Sequence, residues 1–255
     1  MTAIVHRFVE ANGIRMHLAE QGEGPAVLFC HGFPESWYSW RHQLESLSAA
    51  GFRVIAPDMR GYGQTDRPDA IEQYTLLHLV GDMVGILDAL GIDQAVIAGH
   101  DWGAPVAWHS ALLRPDRFRA VIGLSVPFIP RFPIRPTSTM HQTDDALFYQ
   151  LYFQEPGVAE ADLERDVRAT IRRMLFWASG DAPINQHTGN DASDGSSFVG
   201  MVSRSQGFVG TMPDPPALPG WLTDADIDFY VTEFRAPVFA AASTGTATST
   251  AAGSS

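Results

Sequence analysis

GHDWG, residues 99–103, lies between two stretches of opposite character: the apolar run QAVIAG leads into it and the alanine-rich APVAWHSALL leads out. The run reads as a strand, the glycine-flanked pentapeptide as a tight turn, and the alanine-rich stretch as a helix. This strand–turn–helix puts one residue at its apex, Asp101. Glycines at 99 and 103 would relieve the crowding of so sharp a turn. The same five residues also fit an ordinary turn whose aspartate caps the following helix, so the surrounding sequence has to decide.

On either side of the turn, the chain alternates between two patterns. AVLFC (26–30) is an unbroken apolar run, as in a strand buried on both faces. FRVIAPD (52–58) and FRAVIGLSV (118–126) read the same way. Between them, SWRHQLESLSAAG closes on Gly51 and LLHLVGDMVGILDALG closes on Gly91, both with helical spacing. RFVEA and IRMHLAEQG flank Asn12-Gly13, a strong hairpin dipeptide. Strands alternating with helices define an α/β chain with a mostly parallel sheet covered by helices. HGFPE (31–35) and PDMRGYGQTDRP (57–68) then come directly after strands, at the carboxyl edge where open α/β sheets bind ligands.

After Pro127 the rhythm changes. PFIPRFPIRP reads as an extended linker, and from about Asp144 to Phe234 the patterns DDALFYQLYFQ, ADLERDVRATIRRMLFWASG and TDADIDFYVTEF are helical, separated by the loops INQHTGNDASDGSS and TMPDPPALPGW. The expected organisation is a core over 1–127, a helical lid over 128–234, and a low-complexity, disordered tail over 235–255. Arg165, Arg168, Arg172 and Arg173 read as one solvated helix face.

The totals narrow the function classes. The 255 residues are 45% hydrophobic and carry a formal net charge of −12, which argues against nucleic acid and anionic membrane as partners. The first residues lack a charged-then-apolar signal pattern, and no apolar run approaches the ~20 residues of a membrane span. The single cysteine, Cys30, excludes an internal disulfide and reads as a buried thiol. A cytoplasmic protein is the expectation.

The stretches HGFPESWYSWRHQ (31–43), APDMRGYGQTD (56–66), AVIAGHDWGAPVAW (95–108), FYQLYFQEPGVAEADLE (148–164) and WLTDADIDFYVTEF (221–234) together resemble the epoxide hydrolases of the α/β-hydrolase superfamily, over roughly residues 5 to 234. YQLYFQEPG is the most specific piece. The resemblance implies that Asp101 is the nucleophile. Unlike a serine, it needs no base to attack: its unperturbed pKa is about 3.9 unless burial raises it strongly, and a helix N-terminus favours the anion. A carboxylate is a competent nucleophile at the strained carbon of an epoxide, and an alkyl ester on Asp101 would result. The resemblance implies two lid tyrosines donating to the epoxide oxygen, of which Tyr149 matches the first. It places the oxyanion hole on the amides of Phe33 and Trp102, and Trp102, Gln150 and Phe153 against the substrate. His31, His100 and His109 read as packed or hydrogen-bonded. No metal or organic cofactor is implied; the partners are a small hydrophobic epoxide and water.

The family pattern continues past Phe234 with the second tyrosine, two strands, a charge-relay aspartate and a catalytic histidine, none of which this sequence contains; all nine histidines lie at or before His187. Residues 237–251 match an out-of-frame reading of the family's second-tyrosine segment, so a slipped frame near Arg235 is expected to end the family sequence there. A slipped frame would have three consequences: an impaired ester-hydrolysis step, an open sheet edge at 118–126, and self-association through that edge. The rival readings are a haloalkane or haloacetate dehalogenase, which shares the elbow aspartate, and a non-catalytic remnant. Trp102 fits both aspartate enzymes, and Tyr149 within YQLYF favours the epoxide.

Overall fold

A computed structural model describes residues 3–130, 133–182 and 200–234. The loop expected at 184–197 and the tail at 235–255 lie outside the described residues. The chain divides into two compact units, residues 1–131 and 132–255.

In the first unit, β1 (Val5–Ala11) and β2 (Ile14–Gln21) pair antiparallel, with Ala11 opposite Ile14. The turn between them holds Asn12 at φ 49° and Gly13 at φ 79°, the left-handed pair that a two-residue hairpin requires. The sheet adds β3 (Ala26–Cys30), β4 (Arg53–Pro57), β5 (Ala95–His100) and β6 (Phe118–Leu124), in the order β1-β2-β4-β3-β5-β6. β4, β3, β5 and β6 are mutually parallel, and β2 meets β4 antiparallel. All five residues of β3 are buried, as its unbroken apolar run required.

Three helices cover the sheet: α1 (Arg41–Ala49), α2 (Leu76–Ala89) and α3 (Gly103–Leu113). Met16, Leu18, Leu28 and Ile55 from the sheet pack in one cluster with Met83, Ile86 and Leu87 of α2 and Val106 of α3. Each such side chain contributes about 1.5–3 kcal/mol by leaving water. The loop after β4 is tied down from within, because the buried Arg60 guanidinium grips Asp82 of α2 with two nitrogens. β6 ends the strand order among the described residues, with Ile122 50% and Leu124 42% exposed.

The second unit departs from the all-helical expectation. Ala146–Phe148 forms a strand, β7, paired antiparallel with Met201–Ser203, β8. The stretch DDALFYQLYFQ is therefore a strand followed by a single helical turn, α4 (Tyr149–Tyr152). Its apolar residues meet a strand partner more than 50 residues away, which outweighs their local helical spacing.

The next pattern is also divided, into α5 (Val158–Leu163) and α6 (Val167–Trp177). Asp166 interrupts it by accepting the Ala169 N–H as a helix cap. A short α7 (Gly207–Thr211) precedes the proline-rich loop, and α8 (Asp224–Glu233) begins with a reciprocal Thr223–Asp226 capping box. The arginine face of α6 is not simply solvated. Arg168 bridges Asp224 and Asp228 of α8, Arg172 donates to Asp214 at 2.7 Å, and Arg173 donates to the Val209 carbonyl at 3.2 Å. The acidic runs that attract these arginines lie over 40 residues downstream. Among the described residues no helix is long and apolar enough to cross a membrane.

Candidate active site

The elbow begins where β5 ends. Asp101 has φ 50°, a left-handed conformation that Asp and Asn tolerate better than other side chains. Its carbonyl accepts the Ala104 N–H at 3.0 Å and so starts α3, and its own N–H donates to Ser125 Oγ at 3.3 Å, just past β6. A Cβ at Gly99 would stand 2.1 Å from the Gly103 carbonyl oxygen, and one at Gly103 would stand 2.1 Å from the Cys30 carbonyl oxygen. Both glycines are required because backbone occupies the space a side chain would need.

The segment after β3 crosses this apex as a strap. Phe33 N–H donates to Asp101 Oδ1 at 2.9 Å, and the Trp102 N–H also bonds the carboxylate. The approach depends on Gly32, since a Cβ there would lie 2.4 Å from Oδ1. Burial pushes the Asp101 pKa up to about 6; the two backbone N–H groups oppose that shift, as does His100, while the Glu35 charge adds to it. The elbow amides therefore moderate the rise without reversing it, contrary to the simple expectation from a helix N-terminus. At pH 7 about nine-tenths of the groups are still ionised.

Three further side chains fix the strap. His31 is buried; its Nε2 accepts the Met59 N–H at 2.9 Å and its Nδ1–H donates to the Gly32 carbonyl at 2.9 Å. Burial holds this imidazole below its ordinary pKa, which suits the neutral tautomer those partners define. Glu35 accepts the Gly32 N–H at 3.0 Å and lies 3.2 Å from His100 Nδ1. Burial alone would raise the Glu35 pKa; the His100 hydrogen bond and charge outweigh it and hold the carboxyl below the usual range. The same bond raises His100. In the sequence Glu35 stands within HGFPE with no visible partner, because 65 residues separate it from His100. The one available signal was the position of each, Glu35 three residues after Gly32 and His100 next to Asp101. His109 donates from Nδ1 to the Pro105 carbonyl at 2.8 Å within α3.

In the second unit Tyr149 opens α4, and its N–H donates to the Gly200 carbonyl at 2.8 Å. Its ring packs against Phe148 at 4.8 Å between centroids, and more loosely against Phe153 and Phe208. Phe153 is 4% exposed and edge-on to Phe208 at 5.2 Å, so within its own unit it is a packing residue. Gln150 donates from Nε2 to the Tyr149 phenol oxygen at 3.1 Å. The elbow residues Asp101, Trp102 and Phe33 are thus gathered in one unit, and Tyr149, Gln150 and Phe153 in the other.

A mostly parallel sheet whose strand–turn–helix elbow raises a carboxylate under a strap amide defines an α/β-hydrolase fold with an aspartate at the apex of the elbow. The α/β-hydrolase fold family matches residues 25–196. The chain is 46% identical to "Epoxide hydrolase 2" of Siraitia grosvenorii over 92% of its own length and 69% of that protein. It is 44% identical to "Epoxide hydrolase A" of Mycobacterium tuberculosis over 92% of itself and 70% of that protein. Among solved structures, an epoxide hydrolase from an endophytic Streptomyces superposes with a TM-score of 0.90 at 42% identity, covering 99% of this chain and 74% of the other. This chain belongs to the epoxide hydrolase family of the α/β-hydrolase fold.

Proposed function

We propose that this chain opens a small hydrophobic epoxide by attack of Asp101 on a ring carbon, with Tyr149 giving its phenolic proton to the departing oxygen. The Phe33 N–H bonded to Asp101 Oδ1 carries this reading. It pins Oδ1 with a backbone donor and leaves Oδ2 as the attacking atom. Attack forms the C–Oδ2 ester bond and breaks the C–O bond of the ring. The alkoxide takes the Tyr149 proton and becomes the hydroxyl of a β-hydroxy ester, and the phenolate regains its proton from water. Hydrolysis of the ester requires water to attack Cγ while a base takes one of its protons. The negative charge develops on Oδ1, which already accepts the Phe33 N–H, so that donor needs no rearrangement. Collapse would expel the Oδ2 alkoxide, which takes up that proton to become the second hydroxyl of a vicinal diol.

Activating the water requires a base, a role that belongs to neither Asp101 nor Tyr149. Incubation with styrene oxide is therefore expected to add one substrate mass to the intact protein, mapping to the peptide that contains Asp101. Steady diol release with no accumulating adduct would show that another residue of this chain activates water. Absence of both adduct and diol would count against Asp101 as the nucleophile.

A further inference from the structure

The strap that carries Phe33 is tied at both ends to one place. At its start, His31 Nε2 accepts the N–H of Met59; at its end, the Trp37 N–H donates to Asp58 Oδ1 at 3.0 Å. Asp58 and Met59 are neighbours just beyond β4, so a single point of the sheet sets the height of the strap over Asp101. Asp58 is 0% exposed, and a buried carboxylate keeps its place only while its oxygens are bonded. Its Oδ2 accepts the Gln64 N–H at 3.1 Å and lies 2.7 Å from His17 Nδ1.

His17, on β2, is 1% exposed. Its Nε2 lies 3.1 Å from Nδ1 of His6 on β1, with the two rings stacked at 5.2 Å. Phe8 from β1 packs on the His17 ring, and Trp37 stands edge-on to His6. The His17 N–H donates to Thr65 Oγ1, whose hydroxyl donates to the Asp58 carbonyl. With the Nδ1 proton given to Asp58, Nε2 accepts the His6 proton, and the chain of donors runs from the exposed strand to the strap.

We propose that Asp58, oriented by the His17 imidazole, is a positioning residue that aims the Phe33 N–H at Asp101 and so tunes the ionisation of the nucleophile. The kinetic test rests on Asp101 being alkylated; the exchange test does not. The groups acting on Asp101 are the Phe33 and Trp102 amides, Glu35 and His100, with Tyr62 close enough to feel its charge. Of these, the Phe33 amide is the backbone donor carried on the strap between its two anchors.

Two half-histidines separate positioning from packing. His17→Asn keeps a donor near the Nδ1 position, and His17→Gln keeps one near Nε2. The pH dependence of styrene oxide adduct formation should have its midpoint near 6 in the parent and in His17→Asn. In His17→Gln the midpoint should rise by about one unit, with a loss of about fivefold at pH 6 that closes above pH 8. Hydrogen exchange over residues 31–37 should quicken in His17→Gln and not in His17→Asn. Asp58→Asn gives an independent reading: it puts a donor where Oδ2 meets the Gln64 N–H and His17 Nδ1, loosens the anchor, and should raise the Asp101 midpoint. A folded His17→Gln with parental midpoint and parental exchange would overturn the proposal, as would a lowered midpoint in Asp58→Asn. If the parent forms no adduct, the nucleophile assignment fails, and the exchange comparison still decides the positioning role.

Discussion

The two units hold the side chains proposed for the reaction by different means. Asp101 is held by backbone: a left-handed φ, amides from Phe33 and Trp102 on its carboxylate, and glycines where neighbouring chain leaves no room for a Cβ. Tyr149 is held by side chains: a ring packed on Phe148 beside Phe153 and Phe208, on a one-turn helix that comes after a three-residue strand. An attacking oxygen must sit within tenths of an ångström of its target, and backbone amides fix it with no rotamer freedom to lose. A proton donor must track an oxygen that moves as the ring opens, and a packed phenol can adjust.

The largest effect expected from this contrast is at Asp101. Asp101→Asn suits the left-handed site and removes the anion, so adduct formation by intact mass should fall by about 10³-fold or more. The same change should stabilise the fold. The native carboxyl pKa of about 6 lies above the unfolded value, so the native state holds the extra proton and stability drops as pH rises from about 4 through 6. Above that window the ionised group is a fixed burden, and Asp101→Asn should raise the unfolding free energy by about 1–2 kcal/mol at pH 7.5, a gap that shrinks at pH 5. A less stable Asn variant at pH 7.5 would break the picture of a strained, desolvated nucleophile.

Tyr149→Phe should slow adduct formation by about 10²-fold with an unchanged thermal midpoint, because packing holds the ring and only the hydroxyl is lost. A large fall in thermal midpoint would mean that the hydroxyl is part of the scaffold. Lowering the pH from 7 to 5 should cut alkylation of the parent about tenfold as Asp101 takes up its proton, with the midpoint read from initial rates. The smallest effect belongs to Gln150. Gln150→Leu removes the donor to the Tyr149 oxygen and should cost about fivefold in adduct rate, the worth of one ordinary hydrogen bond. A loss as large as that of Tyr149→Phe would make Gln150 part of the acid itself.

Legibility in the sequence divides along the same line. β3, β4, α2 and the elbow were legible because unbroken apolar runs and closing glycines are local signals. Asn12-Gly13 even specified the sense of its turn. β7 was not legible: three residues carry no period, and the partner that makes Ala146–Phe148 a strand is Met201–Ser203. The break between α5 and α6 did leave a trace in Asp166, a good cap placed inside an apparently continuous pattern. Phe33 and Trp102 could be placed beside Asp101 because their positions in the chain put them there, whereas the Glu35–His100 pair and the Asp58–His17 pair depend on which strands the sheet sets side by side.

The tight contacts at the elbow also bear on how this scaffold can be diversified. At positions 32, 99 and 103 a methyl group would land 2.1–2.4 Å from a carbonyl oxygen or from the Asp101 carboxylate. Random libraries that include these codons will consist largely of chains unable to form the turn, whatever substrate is used for selection. The aromatic cluster around Tyr149 meets such a constraint at Gly200, where a Cβ would stand 2.9 Å from the Phe148 ring; its other contacts are between side chains, which can be exchanged in compensating pairs. Mutational searches for new epoxide preferences are thus best confined to residues such as 148, 153 and 208, with the three glycines left fixed.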